Sequence, residues 1–334
     1  MFKTLGSAFK NRELRKGMLV TLLLLLVYRL GCFLPTPGLS ADLYSDLSTN
    51  DATGLLSLLN TVTGSALSNA AIFALGVTPY INASIIVQLL AVAIPSLERL
   101  SKEGEEGKNK INLITKIVAL VLALAQGLGI VLGLGGDYIV PIFGEKLKWL
   151  ISVVVILILM AGTCFTMWLG DKITEQGIGN GLSLIIFVGI IATAAQSIVN
   201  AIKNIQYNIG YLWELIGFLA LVVLIFFLIA FIDMSERRIT VQYTKQIKGN
   251  KMYGGQSSYI PMKLNGSGVM PIIFASAIIT FPSLILSLFG KGANSGGFAG
   301  WWFKYFGTGT VLYSILTAVF ILFFAYFYAQ IQFN

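Results

Sequence analysis

With 334 residues, 56% of them hydrophobic and 11% charged, and a mean hydropathy of +0.81, the chain has too little polar surface to coat a soluble globule and belongs in a membrane. The formal net charge of +8 comes from basic residues in a few short segments beside apolar runs, a pattern of topology signals and docking to acidic partners rather than of a nucleic-acid substrate. Histidine is absent, which removes His-based acid/base catalysis, haem ligation and most zinc sites, and Cys32 and Cys164, both inside apolar runs, give no disulfide framework.

A bilayer crossing takes about 20 apolar residues, and the sequence has room for eight. Lys3, Lys10, Arg12, Arg15 and Lys16 precede the run Met18–Phe33, which reads as a retained first span because Pro35-Thr-Pro-Gly38 is a poor cleavage site for a signal peptide. Arg29 inside that run either faces protein or, the simpler reading, anchors at the interface. The loop Gly38–Gly54 holds Asp42, Asp46 and Asp51 without Lys or Arg, and is expected outside. Leu55–Leu75, interspersed with Asn60, Thr61, Thr63, Gly64, Ser65, Ser68 and Asn69, is too polar for lipid and too apolar for water, which predicts a half-helix folded into the protein from the outer side.

Pro79 then opens a span to Leu97, since proline suits a helix's first turn. Glu98–Lys110 reads as a solvated turn, Ile111–Leu134 and Leu150–Leu169 as spans, and Asp171–Gly181 as a polar loop without a phosphate-loop pattern. After the spans Leu182–Val199 and Tyr211–Ile232 comes the longest polar segment, Asp233–Asn265, with Arg237, Arg238, Lys245, Lys248, Lys251 and Lys263. Its Ile239-Thr-Val-Gln-Tyr-Thr alternation and the Gly249-Asn250 turn signal predict a projecting hairpin. Val269–Leu288 and Val311–Gln330 complete the spans, and Trp301 and Trp302 between them suit a membrane interface. With the N-terminus cytoplasmic, inner segments carry sixteen Lys/Arg and outer ones five, so the positive-inside rule selects that orientation.

Ten residues recur. Gly76-Val-Thr-Pro-Tyr-Ile-Asn-Ala-Ser-Ile85 returns as Gly268-Val-Met-Pro-Ile-Ile-Phe-Ala-Ser-Ala277, with Gly, Val, Pro, Ile, Ala and Ser at equal offsets, and each copy opens a span. The loop count runs the two copies through the bilayer in opposite senses, the mark of an inverted repeat with a shared pathway at its interface.

Apart from Arg29 the spans carry essentially no charge at depth, so neither the carboxylates of ion-coupled transport nor a proton relay is visible, and no His or Lys at depth stands ready to activate a serine. An enzyme is not indicated. Mid-span aliphatic side chains either pack helix on helix, the simpler reading, or form a tight constriction that expels water and blocks ions without a charged gate. A secondary transporter of a small solute also suits inverted repeats and broken helices. A membrane insertase or scaffold remains a further alternative, and it would need no constriction.

Four motifs together carry a family resemblance. Phe73-Ala-Leu-Gly-Val-Thr-Pro-Tyr-Ile-Asn-Ala-Ser-Ile85, Lys172-Ile-Thr-Glu-Gln-Gly-Ile-Gly-Asn-Gly181, Arg237-Arg-Ile-Thr-Val-Gln-Tyr243 and Lys263-Leu-Asn-Gly-Ser-Gly-Val-Met-Pro271 resemble the signatures of bacterial SecY, the family of pore subunits of the protein-translocation channel. The resemblance implies an all-α polytopic membrane protein, here of about eight transmembrane helices plus a half-helix plug, built from two halves, residues 1–205 and 206–334, around an hourglass pore. It places the constriction ring on Val77, Ile81, Leu182, Ile186 and Ile273, and the plug on 55–69, with Leu55, Leu59, Asn60, Gly64, Ser65 and Asn69. It implies a lateral gate between the spans opened by Pro79 and Pro271, with Asn82 and Gln126 as its polar latch or as ordinary interhelical hydrogen-bonding groups.

Arg237, Arg238, Lys245, Lys248 and Lys251 fall where the family docks the SecA ATPase motor or the ribosome, although phospholipid headgroups would suit the same charge. The implied setting is the bacterial plasma membrane, with SecE- and SecG-like small subunits as partners, unfolded preproteins or nascent chains as cargo, and no cofactor. The family has ten spans, whereas this sequence ends at Asn334, where the loop after the eighth would begin; a truncated chain or a second polypeptide carrying the remainder is expected.

Overall fold

A computed structural model describes residues 11–40, 60–133, 148–205, 210–242, 246–248, 251–253, 257–263, 297–307 and 310–333, and single positions between 268 and 286. In chain order these form α1 (Arg12–Gly31), α2 (Thr78–Ala93), α3 (Pro95–Lys102), α4 (Glu105–Gly133), α5 (Lys148–Gln176), α6 (Gly181–Ile205) and α7 (Gly210–Asp233). Strands β1 (Glu236–Gln242), β2 (Gln246–Lys248), β3 (Lys251–Tyr253) and β4 (Ser257–Lys263) follow, then α8 (Phe298–Phe306) and α9 (Val311–Phe333). Among the described residues five helices, α4, α5, α6, α7 and α9, are long and apolar enough to cross a membrane, and α2 is a shorter apolar helix.

Helix ends follow local chemistry. Asn11 caps α1, its side-chain oxygen accepting the Glu13 N–H at 3.1 Å. The span expected over Pro79–Leu97 stops at Ala93 instead: Ile94 precedes Pro95 and is extended, φ −108° and ψ 114°. Glu98–Lys110, expected as a turn, is largely helical, because its charges pair along helix faces, Lys102 with Glu98 at 2.8 Å and Lys110 with Glu106 at 3.4 Å. Gly104, at φ 82°, makes the bend between α3 and α4. Helix α5 likewise continues through Asp171 to Gln176, leaving only residues 177–180 as the loop before α6.

The predicted hairpin is present. β1 pairs antiparallel with β4 from Glu236 opposite Lys263 to Gln242 opposite Ser257, and β2 pairs with β3. The register sets Lys248 opposite Lys251, and the predicted turn residues Gly249 and Asn250 lie outside the described residues.

The chain divides into two compact units, Met1–Ser197 with Ala277–Ile315, and Ile198–Ser276 with Leu316–Asn334. In the second, fully buried Phe274 packs its ring 5.5 Å from that of Phe324 and 5.0 Å from that of Tyr328. In the first, α2 lies along α4, while α4 and α1 both pack on α5. Residues 60–77 run through the middle of this unit: Leu67, Ala70, Ala74 and Leu75 pack with Ala123, Val155 and Leu159. Ala66, Ala71, Phe73 and Val77 pack with Tyr28, Leu169 and Ile185.

This re-entrant segment departs from the expected half-helix. It is helical only over 60–63 and continues as turns, with positive φ at Gly64, Ser65, Ala70 and Gly76. Its polar side chains satisfy local backbone in place of a helix: Asn60 Oδ1 accepts the Ser68 N–H at 3.1 Å, and the Ser68 hydroxyl donates to the Ser65 carbonyl at 2.9 Å.

Helices reach the segment through glycines. Gly31 of α1 lies against the Phe73 ring, Gly162 of α5 against the Ile72 carbonyl, and Gly189 of α6 against the Val62 carbonyl, each where a Cβ would collide. Small residues allow such approach in a bilayer, where lipid tails leave little hydrophobic drive for helix association. Gly162→Val is expected to destabilise by about 1–3 kcal/mol through overpacking, read as a lower midpoint of thermal unfolding in detergent. Gly217→Ala in α7, whose added methyl meets nothing within 4 Å, is expected to leave that midpoint unchanged or slightly raised.

Candidate functional site

The repeated decapeptide has the same local build in both copies. Gly76 and Gly268 take left-handed φ values of 52° and 59°, and Pro79 and Pro271 three residues on are both buried. Ala83 and Ala275 are fully buried, as are Val87 and Ile279 one turn beyond. Burial at every fourth residue marks one inward stripe of a helix, and the two copies present equivalent stripes. Ile81 is half-buried and stands between these stripe positions, whereas Ile273, its counterpart, lies outside the described residues.

Four of the five residues expected in the constriction come together. Val77, Ile81, Leu182 and Ile186 belong to or pack against one apolar cluster with Tyr28, Phe73, Ile173 and Ile185. Val77 precedes α2 and is 3% exposed, so it is packed; Ile81, Leu182 and Ile186 are half-buried.

Residues 177–181 aim the pair on α6. Asn180 Oδ1 accepts the Ser183 N–H at 3.2 Å, and the Gly181 N–H donates to Thr174 Oγ1 at 2.9 Å. Thr21 of α1 accepts the Ile178 N–H at 3.1 Å, which ties the loop to α1. Gly170 leaves the space that Leu182 occupies, since a Cβ there would stand 2.6 Å from Leu182 Cδ2.

Beside this cluster the re-entrant segment is held by donors that motif spacing does not reveal. Arg29 Nη1 donates to the Gly64 carbonyl at 3.2 Å, and its guanidinium lies over the Phe33 ring, 5.5 Å from the centroid. The interfacial-anchor reading of Arg29 is therefore corrected: the side chain faces protein. On insertion scales an arginine at the centre of a span costs about 2.5–3.5 kcal/mol; Arg29 stands instead in α1's last turn, where the carbonyl and the aromatic face partner it. Thr193 Oγ1 donates to the Thr61 carbonyl at 3.1 Å, the Thr36 N–H to Ala70 O at 2.8 Å, the Ile72 N–H to Leu34 O at 3.0 Å, and Asn69 Nδ2 to Cys32 O at 3.5 Å.

Of the expected plug residues, Asn60, Gly64, Ser65 and Asn69 belong to this segment, while Leu55 and Leu59 lie outside the described residues. Of the expected gate residues, Asn82 is half-buried and Gln126 is 7% exposed, and among the described residues no hydrogen bond joins them. Arg237 and Arg238 are exposed on β1, and the Arg238 guanidinium lies 4.7 Å from the Tyr259 ring centroid on β4. Lys248 and Lys251 sit opposite one another at the end of the β2–β3 pair; Lys245 lies outside the described residues.

A family model described as SecY matches residues 71–334. The protein translocase subunit SecY of Buchnera aphidicola subsp. Schizaphis graminum is 42% identical over 342 residues, covering 100% of this chain and 77% of that protein. This chain belongs to the SecY family. Solved structures share the SecY fold at low identity. One is a SecY protein whose plug domain is described as stabilising the closed state of the translocation channel and maintaining a membrane seal; its TM-score is 0.54 at 18% identity, over 94% of this chain and 70% of that one. Another is Sec61 in the canine ribosome–channel complex from the endoplasmic reticulum, with a TM-score of 0.56 at 16% identity and the same coverage.

The SecY-family motif Lys172–Gly181 thus acts as a fastener for α6, and its cap can be tested alone. Asn180→Ala is expected to cost about 1 kcal/mol, seen as roughly fivefold faster hydrogen exchange at the first-turn amides of α6.

Proposed function

We propose that this chain is the pore-forming subunit of a protein-conducting channel, passing unfolded polypeptides across the membrane and releasing apolar segments sideways into lipid. As a bacterial SecY protein it is a multi-pass protein of the plasma membrane, and the polypeptide path is a passage rather than a catalytic centre. The observation that carries the reading is the convergence of Val77, Ile81, Leu182 and Ile186 on one aliphatic cluster beside a re-entrant segment. Branched apolar side chains exclude water from a narrow passage, which stops ions without a charged filter, and they yield to a threaded chain because they bind none of its groups specifically.

In this reading Ile273 completes the ring, residues 55–69 are the plug, and the chain divides near residue 205 into halves related by the repeat. The lateral gate is assigned to the helices headed by Pro79 and Pro271 on the strength of the repeated decapeptide, with Asn82 and Gln126 as polar groups on its flank. The N-terminus is cytoplasmic, so the β-hairpin with Arg237, Arg238, Lys245, Lys248 and Lys251 projects into the cytoplasm. Its charge suits an acidic surface on a SecA-like motor or on a ribosome, the latter in line with the ribosome-bound state of one structural neighbour. SecE- and SecG-like subunits are assigned as membrane partners.

Ile81→Gly combined with Ile273→Gly is expected to leak ions, because the passage then stays wet; planar-bilayer conductance equal to that of the parent overturns the seal. Arg237→Glu with Arg238→Glu is expected to weaken docking of motor or ribosome at least tenfold at low salt, with the difference shrinking as ionic strength rises. Equal binding by both proteins in low-salt flotation assays refutes the docking assignment.

A further inference from the structure

We propose that Arg29 is the tether of the re-entrant segment: its hydrogen bond to the Gly64 carbonyl holds the segment seated, and that bond breaks when the passage opens. The inference rests on the channel reading above and names the residue that controls it. Gly64 is gripped from two sides. It has φ 68°, and a Cβ built on it would stand 2.5 Å from Arg29 Nη1 and 2.9 Å from Gly189 Cα, so the turn is pressed between α1 and α6. Helix α6 is also the helix that carries Leu182 and Ile186.

Arg29 brings a charged donor to this segment's carbonyls, beside the thiol, hydroxyl and backbone donors of Cys32, Thr193 and Thr36. The chemistry fits a bond made to be broken. A carbonyl dipole holds a guanidinium less firmly than a carboxylate would, and a guanidinium that loses its acceptor inside a membrane protein needs water in exchange. Departure of the segment is therefore coupled to hydration of the passage: while the passage is dry, the charge has nowhere better to bond.

Resting open probability of the full chain in planar bilayers tests this. Arg29→Leu and Gly64→Ala are each expected to raise it about tenfold, the scale of one charged hydrogen bond. Gly64→Ala keeps the acceptor carbonyl, but its methyl would press on Arg29 Nη1 and on Gly189 Cα at a left-handed turn, so it displaces the guanidinium and strains the turn as well. The double variant is therefore expected to rise no further than Gly64→Ala alone. Arg29→Lys, which keeps a charged donor, is expected to fall between parent and Arg29→Leu. Parent-like behaviour of both singles, or full additivity in the double, overturns the tether. If Arg29→Leu does not accumulate in the membrane, Gly64→Ala decides alone, and an unchanged open probability there overturns the proposal. The Ile81→Gly/Ile273→Gly variant, measured in parallel, separates the two readings. A leak there with silent tether variants removes the tether and leaves the channel; no leak from any of these variants removes the channel reading itself.

Discussion

Non-helical backbone at membrane depth must have its carbonyls and amides satisfied by protein, since lipid offers no hydrogen bonds. Residues 64–77 of this chain are non-helical and largely buried, and neighbouring parts of the first unit supply partners for their backbone. Arg29, Thr36 and the strand-like contact of Pro35 with Ala71 reach it from the chain before it, and Thr193 reaches the adjoining Thr61 carbonyl from the chain after it. Glycines on α1, α5 and α6 bring those helices close enough for the contacts to form. Polarity, steric space and fold are thus one problem here, solved at one place.

The same segment leads directly into α2 and so into the aliphatic cluster. Phe73 connects the two: its ring stacks on Tyr28 at 5.8 Å and on Phe165 at 5.8 Å, fixing the chain just before Val77. Opposite, Thr21, Thr174 and Asn180 fix the loop that launches α6. Ile81 and Leu182 are therefore held by rigid supports, while the side chains themselves make only dispersion contacts. A cluster of this kind is firm in position and soft in contact, the property that the proposed constriction requires.

Apart from Arg29, the charged groups among the described residues pair with one another or lie wholly or partly exposed. Lys116 on α4 and Asp171 on α5 form a 2.6 Å ion pair, and Arg237 and Arg238 are exposed on the hairpin. Lys102 beside Glu98 holds that carboxyl below the ordinary range through a hydrogen bond and its charge. These groups belong to water-facing chemistry, where screening keeps each contact weak and reversible.

Much of this was legible in the residues. Span-length apolar runs, the alternation after Ser235 and the repeated Gly-Val-x-Pro are properties of local sequence, and the apolar runs form helices and the alternation the β1–β4 pair. Other features were decided only in three dimensions. Polarity placed 55–75 inside the protein, but not the turn path it takes, because that path is set by which distant donors reach which carbonyls. Arg29 read more simply as an interfacial anchor, and its partner, the Gly64 carbonyl, lies 35 positions on. Helix α5 overran its expected end, where Lys172 pairs with Glu175 three residues on and Asp171 with Lys116 of α4, a partner 55 positions away. Local sequence fixes what a segment can bury; which group completes each buried hydrogen bond depends on contacts across the chain, and periodicity carries no record of those.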